Sequence, residues 1–166
     1  MYSVKKYYGE AQIKSCCGFT LIEILVVVSV ITILCGISFS ALGKWVPNYR
    51  LKATTQEIYA SFQKARVYAV KTNRTVYFTF NVDPSCTGSS SYSFEDSAGN
   101  IVAGGSMADG ICILNSSFAN KDETNESGFD PMGLSGGAIG KIELGHTKIS
   151  RTRELSQSSA GSIQIN

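Results

Sequence analysis

Glu23 is the residue with the most demanding chemistry in this chain. It stands five places after Gly18 in Gly18-Phe19-Thr20-Leu21-Ile22-Glu23, and the 19 residues that follow, Ile24–Leu42, contain no Lys, Arg, Asp or Glu. An ionised carboxylate beside such a run is costly unless a cation meets it. No cation of the same chain is close in sequence, so the partner is expected from another chain. The chemistry implied is ion pairing in a low-dielectric place. The plainer reading of the run is an ordinary membrane anchor or an uncleaved signal. Catalysis finds little support. His146 is the only histidine, and no Gly-x-Ser-x-Gly elbow, phosphate loop or zinc spacing occurs. The expectation is therefore no enzyme, no cofactor and no resident metal. Asp122, Glu123, Glu126 and Asp130 cluster around one loop and offer oxygens of the kind calcium takes. Their spacing is not that of an EF-hand, and a solvated acidic loop accounts for them better.

The elements that position Glu23 are legible in the pattern. Ile24–Leu42 spans roughly 28 Å as a helix, about one hydrocarbon thickness. Ahead of it, Lys5, Lys6 and Lys14 against Glu10 hold the whole formal charge of +2. A basic segment before the span predicts a cytoplasmic N-terminus, with the remainder across the membrane. The near-neutral remainder does not advertise nucleic-acid binding. From Phe19 the helical pattern runs to about Thr72, with Pro47 expected to kink or partly melt it. Leu51, Ile58, Phe62, Ala65 and Ala69 share one face, which should pack on a sheet. Asn73 is a suitable stop. Arg74–Val82 alternates, with Val76, Phe78, Phe80 and Val82 on one side. A hairpin is expected around 96–99, a strand over Ile111–Leu114, a polar loop over Asn115–Gly128, and weaker strands near 141–144, 153–156 and 162–165. The fold class is α+β: a long N-terminal α-helix, a membrane half and an amphipathic half, packed on an antiparallel sheet of a domain of about 120 residues.

Gly18-Phe19-Thr20-Leu21-Ile22-Glu23 resembles the prepilin cleavage motif of type IV pilins and type II secretion pseudopilins. A secretory signal would place small residues after its apolar core, whereas here the candidate cut precedes the core. The resemblance implies that prepilin peptidase cuts between Gly18 and Phe19 and that the amine of Phe19 is methylated. It implies that Glu23 directs assembly by pairing with the N-terminal amine of a neighbouring subunit, each charge offsetting the other's desolvation. Four regions follow: a leader over 1–18, a transmembrane and assembly helix over 19–42, its amphipathic continuation over 43–73, and an exported β-rich domain over 74–166. The implied place is the bacterial inner membrane, single-pass, with the C-terminal domain periplasmic, and then a pilus or pseudopilus. The implied partners are prepilin peptidase, other pilin or pseudopilin subunits and the membrane.

On that topology the five cysteines divide. Cys16 and Cys17 leave with the leader, and Cys35 lies in the span as a small apolar residue. Cys86 and Cys112 are the pair in the oxidising compartment and are expected to form a disulfide, with two separate buried thiols as the alternative. Ala65-Arg66, Ala69, Asn73 and Val76 resemble the helix-to-strand junction of the GspH/FimT family of minor pseudopilins and minor pilins. Phe129, Pro131 and Gly133 resemble that family's Phe-x-Pro-x-Gly turn. Arg66 is expected to be structural. Some members bind DNA for uptake through a Gly-Arg-x-Arg run; here it reads Gly161-Ser162-Ile163-Gln164, without either arginine. A basic patch of Lys141, Lys148, Arg151 and Arg153 leaves DNA binding as the weaker alternative.

Overall fold

In the computed structural model of the chain, residues 18–119, 127–137 and 139–166 are described, with the backbone alone at 37–41 and 44. The expected leader over 1–17 and most of the acidic loop, 120–126, lie outside the described residues. The chain divides into two units, Met1–Ser40 and Ala41–Asn166.

Helix α1 runs over Leu21–Thr72. It passes through Pro47 without interruption, against the expectation of a partial melt. Residue 43, whose carbonyl faces the proline ring, is a glycine, which leaves the backbone there free to adjust. The helix ends as expected. Asn73 takes a left-handed φ of 54°, and the Arg74 N–H returns 3.2 Å to the Ala69 carbonyl. That is the six-to-one bond of a Schellman cap.

Eight strands follow: β1 (Val76–Asn81), β2 (Ser91–Asp96), β3 (Ile101–Ser106), β4 (Ile111–Ser116), β5 (Gly128–Phe129), β6 (Lys141–His146), β7 (Ile149–Gln157) and β8 (Ile163–Ile165). They form two antiparallel sheets instead of one, ordered β3-β2-β1-β5 and β4-β6-β7-β8. The expected hairpin around 96–99 is the β2–β3 turn. Strand β1 stops at Asn81, one residue short of Val82, which is surface-exposed. Strand β7 is nine residues long. Its first half carries Ser150 to Thr152, polar and exposed on both faces, and this hid its length in the sequence.

The stripe Leu51, Ile58, Phe62, Ala65 and Ala69 is fully buried, as its periodicity predicts. Phe62 is the centre of an aromatic core. Its ring lies 4.9 Å from Phe78, 4.8 Å from Phe94 and 5.8 Å from Phe118. These tilted and edge-on pairings suit the ring quadrupoles. Phe118 comes from the stretch expected to be a polar loop. Ser116 and Ser117 supply the local hydrogen bonds that fold it inward: Ser116 Oγ accepts from the Phe118 N–H at 3.3 Å, and Ser117 Oγ accepts from the Lys141 N–H at 2.9 Å.

The sheets are joined by polar ties. Ser90 Oγ accepts from the Ile113 N–H, the Asp83 N–H donates to the Ile113 carbonyl, and the buried Gln157 amide donates to the Gly128 carbonyl. Cys86, in the β1–β2 loop, and Cys112, in β4, are joined as a disulfide with Cα atoms 5.3 Å apart.

Asp96 is the best-connected polar side chain. It ends β2 fully buried, with Asn100, Arg74, Tyr68 and the Ala98 N–H all donating to it at 2.8–3.2 Å. The Asn100 amide groups first, then Arg74 and Ala98, hold its carboxyl well below the usual carboxylate range. A depressed folded pKa contributes stability that is complete above the unfolded value and is lost as pH falls through the folded one. Asp96→Asn should therefore lower Tm at pH 7 by roughly 5–10 °C. The gap to the wild type should close as pH falls below about 4. Thermal melts of both proteins between pH 3 and pH 7 read this directly, and a gap independent of pH would mean the charge is not what stabilises the hairpin.

Candidate functional site

The N-terminal turn of α1 is built by Thr20. Its side-chain oxygen and carbonyl accept from the Glu23 N–H at 3.2 and 3.1 Å, and its carbonyl accepts from the Ile24 N–H at 3.3 Å. Thr20 is thus the N-cap, and Glu23 is the third helical residue, the Thr-x-x-Glu spacing of a capping box. That spacing is readable in the sequence. A carboxylate in the first turn also suits the positive end of the helix dipole. Among the described residues no ion pair involves Glu23, whereas Arg74 pairs with Asp96 and Lys141 with Glu154. Gly18 and Phe19 precede the helix, and Phe19 is 79 % exposed. The Gly18–Phe19 peptide bond therefore lies in non-helical, accessible backbone.

Downstream, every large apolar side chain from Leu21 to Leu34 is about half exposed or more. Ser29 and Thr32 hydroxyls donate to the Val26 and Val28 carbonyls, so neither needs water. Among the described residues no helix is long and apolar enough to cross a membrane. The side chains described without a break end at Gly36, and the rest of the expected span, 37–41, is described as backbone only.

At the far end of α1, Arg66 bridges two turns. Its Nε donates to the Gly133 carbonyl at 2.8 Å and its Nη2 to the Ala160 carbonyl at 3.2 Å. This is the structural role expected of it. Asp130 Oδ1 shapes the first turn by accepting from the Met132 and Leu134 N–H groups at 2.9 and 2.8 Å. Gly133 and Gly161 both have positive φ, and a Cβ at Gly161 would collide with the Gly133 carbonyl. Phe129 is buried at the root of this turn. The junction and the Phe-x-Pro-x-Gly turn are therefore one unit, locked by an arginine.

A family model described as type II transport protein GspH matches residues 54–161, and one described as prokaryotic N-terminal methylation motif matches residues 13–39. The chain belongs to the GspH family. The first match covers the buried stripe of α1 from Ile58 on, strands β1 to β7 and the Arg66 turns; the second covers Gly18 to Glu23 and the apolar run as far as residue 39. Together they make it a minor pilin-type protein of the type II secretion and type IV pilus kind. That family is one of structural subunits, and membership implies a membrane-anchored subunit that assembles with others of its type. No characterised protein and no solved structure matches.

In this GspH-family chain Asp122, Glu123 and Glu126 of the acidic cluster lie outside the described residues. Among the described residues no group of three His, Cys, Asp or Glu could hold a metal, and Asp130 is engaged in its own turn. The basic patch is divided: Lys141 is paired with Glu154 at 2.8 Å, whereas Lys148 stands at the β6–β7 turn. Gly161-Ser162-Ile163 closes a tight turn and enters β8, with Ile163 in the core. His146, weakly patterned in sequence, ends β6 nearly buried. Burial, then the charges of Lys148 and Arg50, push its pKa below the ordinary value.

Proposed function

We propose that the chain is a non-catalytic minor subunit of a type II secretion pseudopilus or a type IV pilus. It is made with a leader over 1–18, cut after Gly18 by prepilin peptidase, methylated at Phe19 and held in the inner membrane by the helix from 19 to about 42. The β-rich domain over 74–166 stands on the periplasmic side. The single observation behind this reading is the Glu23 turn: a carboxylate in a first turn whose backbone is capped by Thr20, one short segment after an accessible Gly18–Phe19 bond, at the head of a helix whose apolar surface is uncovered. Such a helix needs apolar surroundings on all sides, and such a carboxylate has a cation to meet where the next subunit's amine arrives. The Cys86–Cys112 link suits an oxidising compartment. Capture of DNA is the weaker reading, because Lys141 is neutralised by Glu154 and the arginine run of DNA-binding relatives is replaced.

The test is the intact mass and N-terminal sequence of the membrane-extracted chain with and without an active prepilin peptidase. A chain beginning at methylated Phe19 is the expected result. A chain still beginning at Met1, while a control prepilin in the same cells is cut, would overturn the proposal.

A further inference from the structure

The first turns after the apolar run form a feature that assembly does not use. Leu42, Gly43, Val46, Pro47 and Arg50 of α1 wall a cleft of about 440 Å³, closed on its other side by Asp109, Gly110 and the β6–β7 turn at His146–Lys148. Its size is that of a small-ligand cleft, about 300–1,000 Å³. We infer that this cleft binds the phosphate of an anionic phospholipid headgroup, through Arg50, Lys148 and the imidazole of His146. The inference rests on the membrane anchoring proposed above.

Three independent observations point there. The first is donor geometry. His146 Nδ1 accepts from the Lys148 N–H at 3.1 Å, which leaves the proton of the neutral ring on Nε2 as a donor. A Cβ at residue 110 would come within 3.4 Å of Nε2 and 3.1 Å of Cε1. Gly110, at φ 80°, thus keeps that edge of the ring uncovered. Arg50 adds a planar fork suited to phosphate oxygens, and Lys148 a mobile ammonium. Asp109 is the single carboxylate in the lining. It stands against two permanent cations, so the balance favours an anion.

The second is charge placement. Between Glu23 and Glu57 the only charged residues are Lys44, Arg50 and Lys52, all basic and all beyond the apolar run. Each such charge near an anionic surface strengthens attachment by about fivefold.

The third is depth. Gly43 to Arg50 lie about 2–12 Å past Leu42 along the helix. The headgroup layer on each side of the hydrocarbon is about 5–8 Å thick. Trp45 lies within that layer, about 4–5 Å past Leu42, and Tyr49 just beyond it at about 10 Å; the two rings are stacked with centroids 5.6 Å apart and exposed by 63 % and 60 %. Exposed Trp and Tyr at this depth are what a membrane interface selects.

The chain has one tryptophan and one histidine, so each reports one place. The full chain is reconstituted in phosphatidylcholine nanodiscs with phosphatidylglycerol raised stepwise to about a third of the lipid. Brominated phosphatidylcholine should quench Trp45 at every composition, which reports anchoring alone. The His146 ring resonance should move with the phosphatidylglycerol fraction. Arg50→Gln and Lys148→Gln should each raise the half-point about fivefold without altering the quenching. An unmoved His146 alongside quenched Trp45 would overturn the inference and leave the anchor standing. Absence of quenching would overturn the anchor itself. A His146 shift that inorganic phosphate reproduces in neutral discs, or one that follows protein concentration instead of lipid charge, would assign the cleft to a free anion or to a neighbouring chain, and either overturns it.

Discussion

A Glu23→Ala chain should be cleaved and methylated normally but enter filaments about a hundredfold less than the wild type, or not detectably. Removing one partner of a desolvated ion pair leaves the other charge uncompensated, at about 3–5 kcal/mol. A factor of ten in an equilibrium corresponds to about 1.4 kcal/mol, so the loss per subunit exceeds a hundredfold. The helix N-terminus supplies a competing explanation, because the Glu23 carboxylate also suits the positive end of the dipole of a helix capped by Thr20. A lost cap costs about 1 kcal/mol. Two further variants separate the effects. Thr20→Ala removes the cap oxygen and keeps the charge, and should assemble at about a fifth of the normal level or better. Glu23→Gln keeps a hydrogen-bonding side chain and removes the charge, and should fail like Glu23→Ala. Immunoblots of sheared filaments against total membrane protein give the ratio. Normal incorporation of Glu23→Gln would show that the carboxylate is not the assembly determinant.

Phe62→Ala should be the most damaging single truncation in the core that α1 shares with the β-rich domain. Its ring is wholly buried, touches Phe78, Phe94, Phe118 and Phe129, and is the meeting point of α1 with β1, β2 and β5. Cutting a core phenylalanine to alanine costs about 3–5 kcal/mol, part from lost transfer free energy and part from the cavity left behind. Domains of this size have about 5–15 kcal/mol in all. A fall in Tm of roughly 15 °C or more follows. The aromatic neighbours cannot collapse into the space easily, since each is fixed from the opposite side by a strand. Val67→Ala, five residues along the same helix but 64 % exposed, should stay within about 0.5 kcal/mol of the wild type. Near-UV circular dichroism melts of the two variants make the comparison, and equal melting would remove Phe62 from the centre of the core.

Some of this was written in the residues and some could not be. The α1 stripe was legible because a 3.6-residue period repeats over eighteen positions, and each of its members is buried. Asn73 was legible because few side chains tolerate its backbone angle. Strand β1 alternated cleanly, since one face meets an aromatic core and the other meets solvent. The division into two sheets was not legible, because local pattern is blind to which strand lies beside which. Near its start strand β7 has Ser150, Arg151 and Thr152 exposed on both faces, which reads as loop until β6 is known to lie alongside. Phe118 was lost among serines and asparagines for the same reason. Of the assembly turn, Gly18, Phe19 and Glu23 are conspicuous in the sequence, while Thr20 acts through a hydroxyl whose capping role shows only once the helix start is fixed. The cleft at His146 had no signal at all: its cations come from a helix and a turn about a hundred residues apart.

The interleaved order of the two sheets sets a schedule for a chain that emerges N-terminus first. The β1–β2–β3 meander can close as soon as residue 106 is made, but its fourth strand, β5, arrives only at 128–129. Meanwhile β4 is complete at Ser116, roughly 25 residues before its own partner, β6, begins at Lys141. For that interval an apolar strand waits with no ladder beside it, the condition under which nascent chains stick to one another. Cys112 lies on that waiting strand, and its partner Cys86 lies in the meander already closed. The crosslink can therefore form before β6 exists, parking β4 against finished structure until the second sheet is delivered.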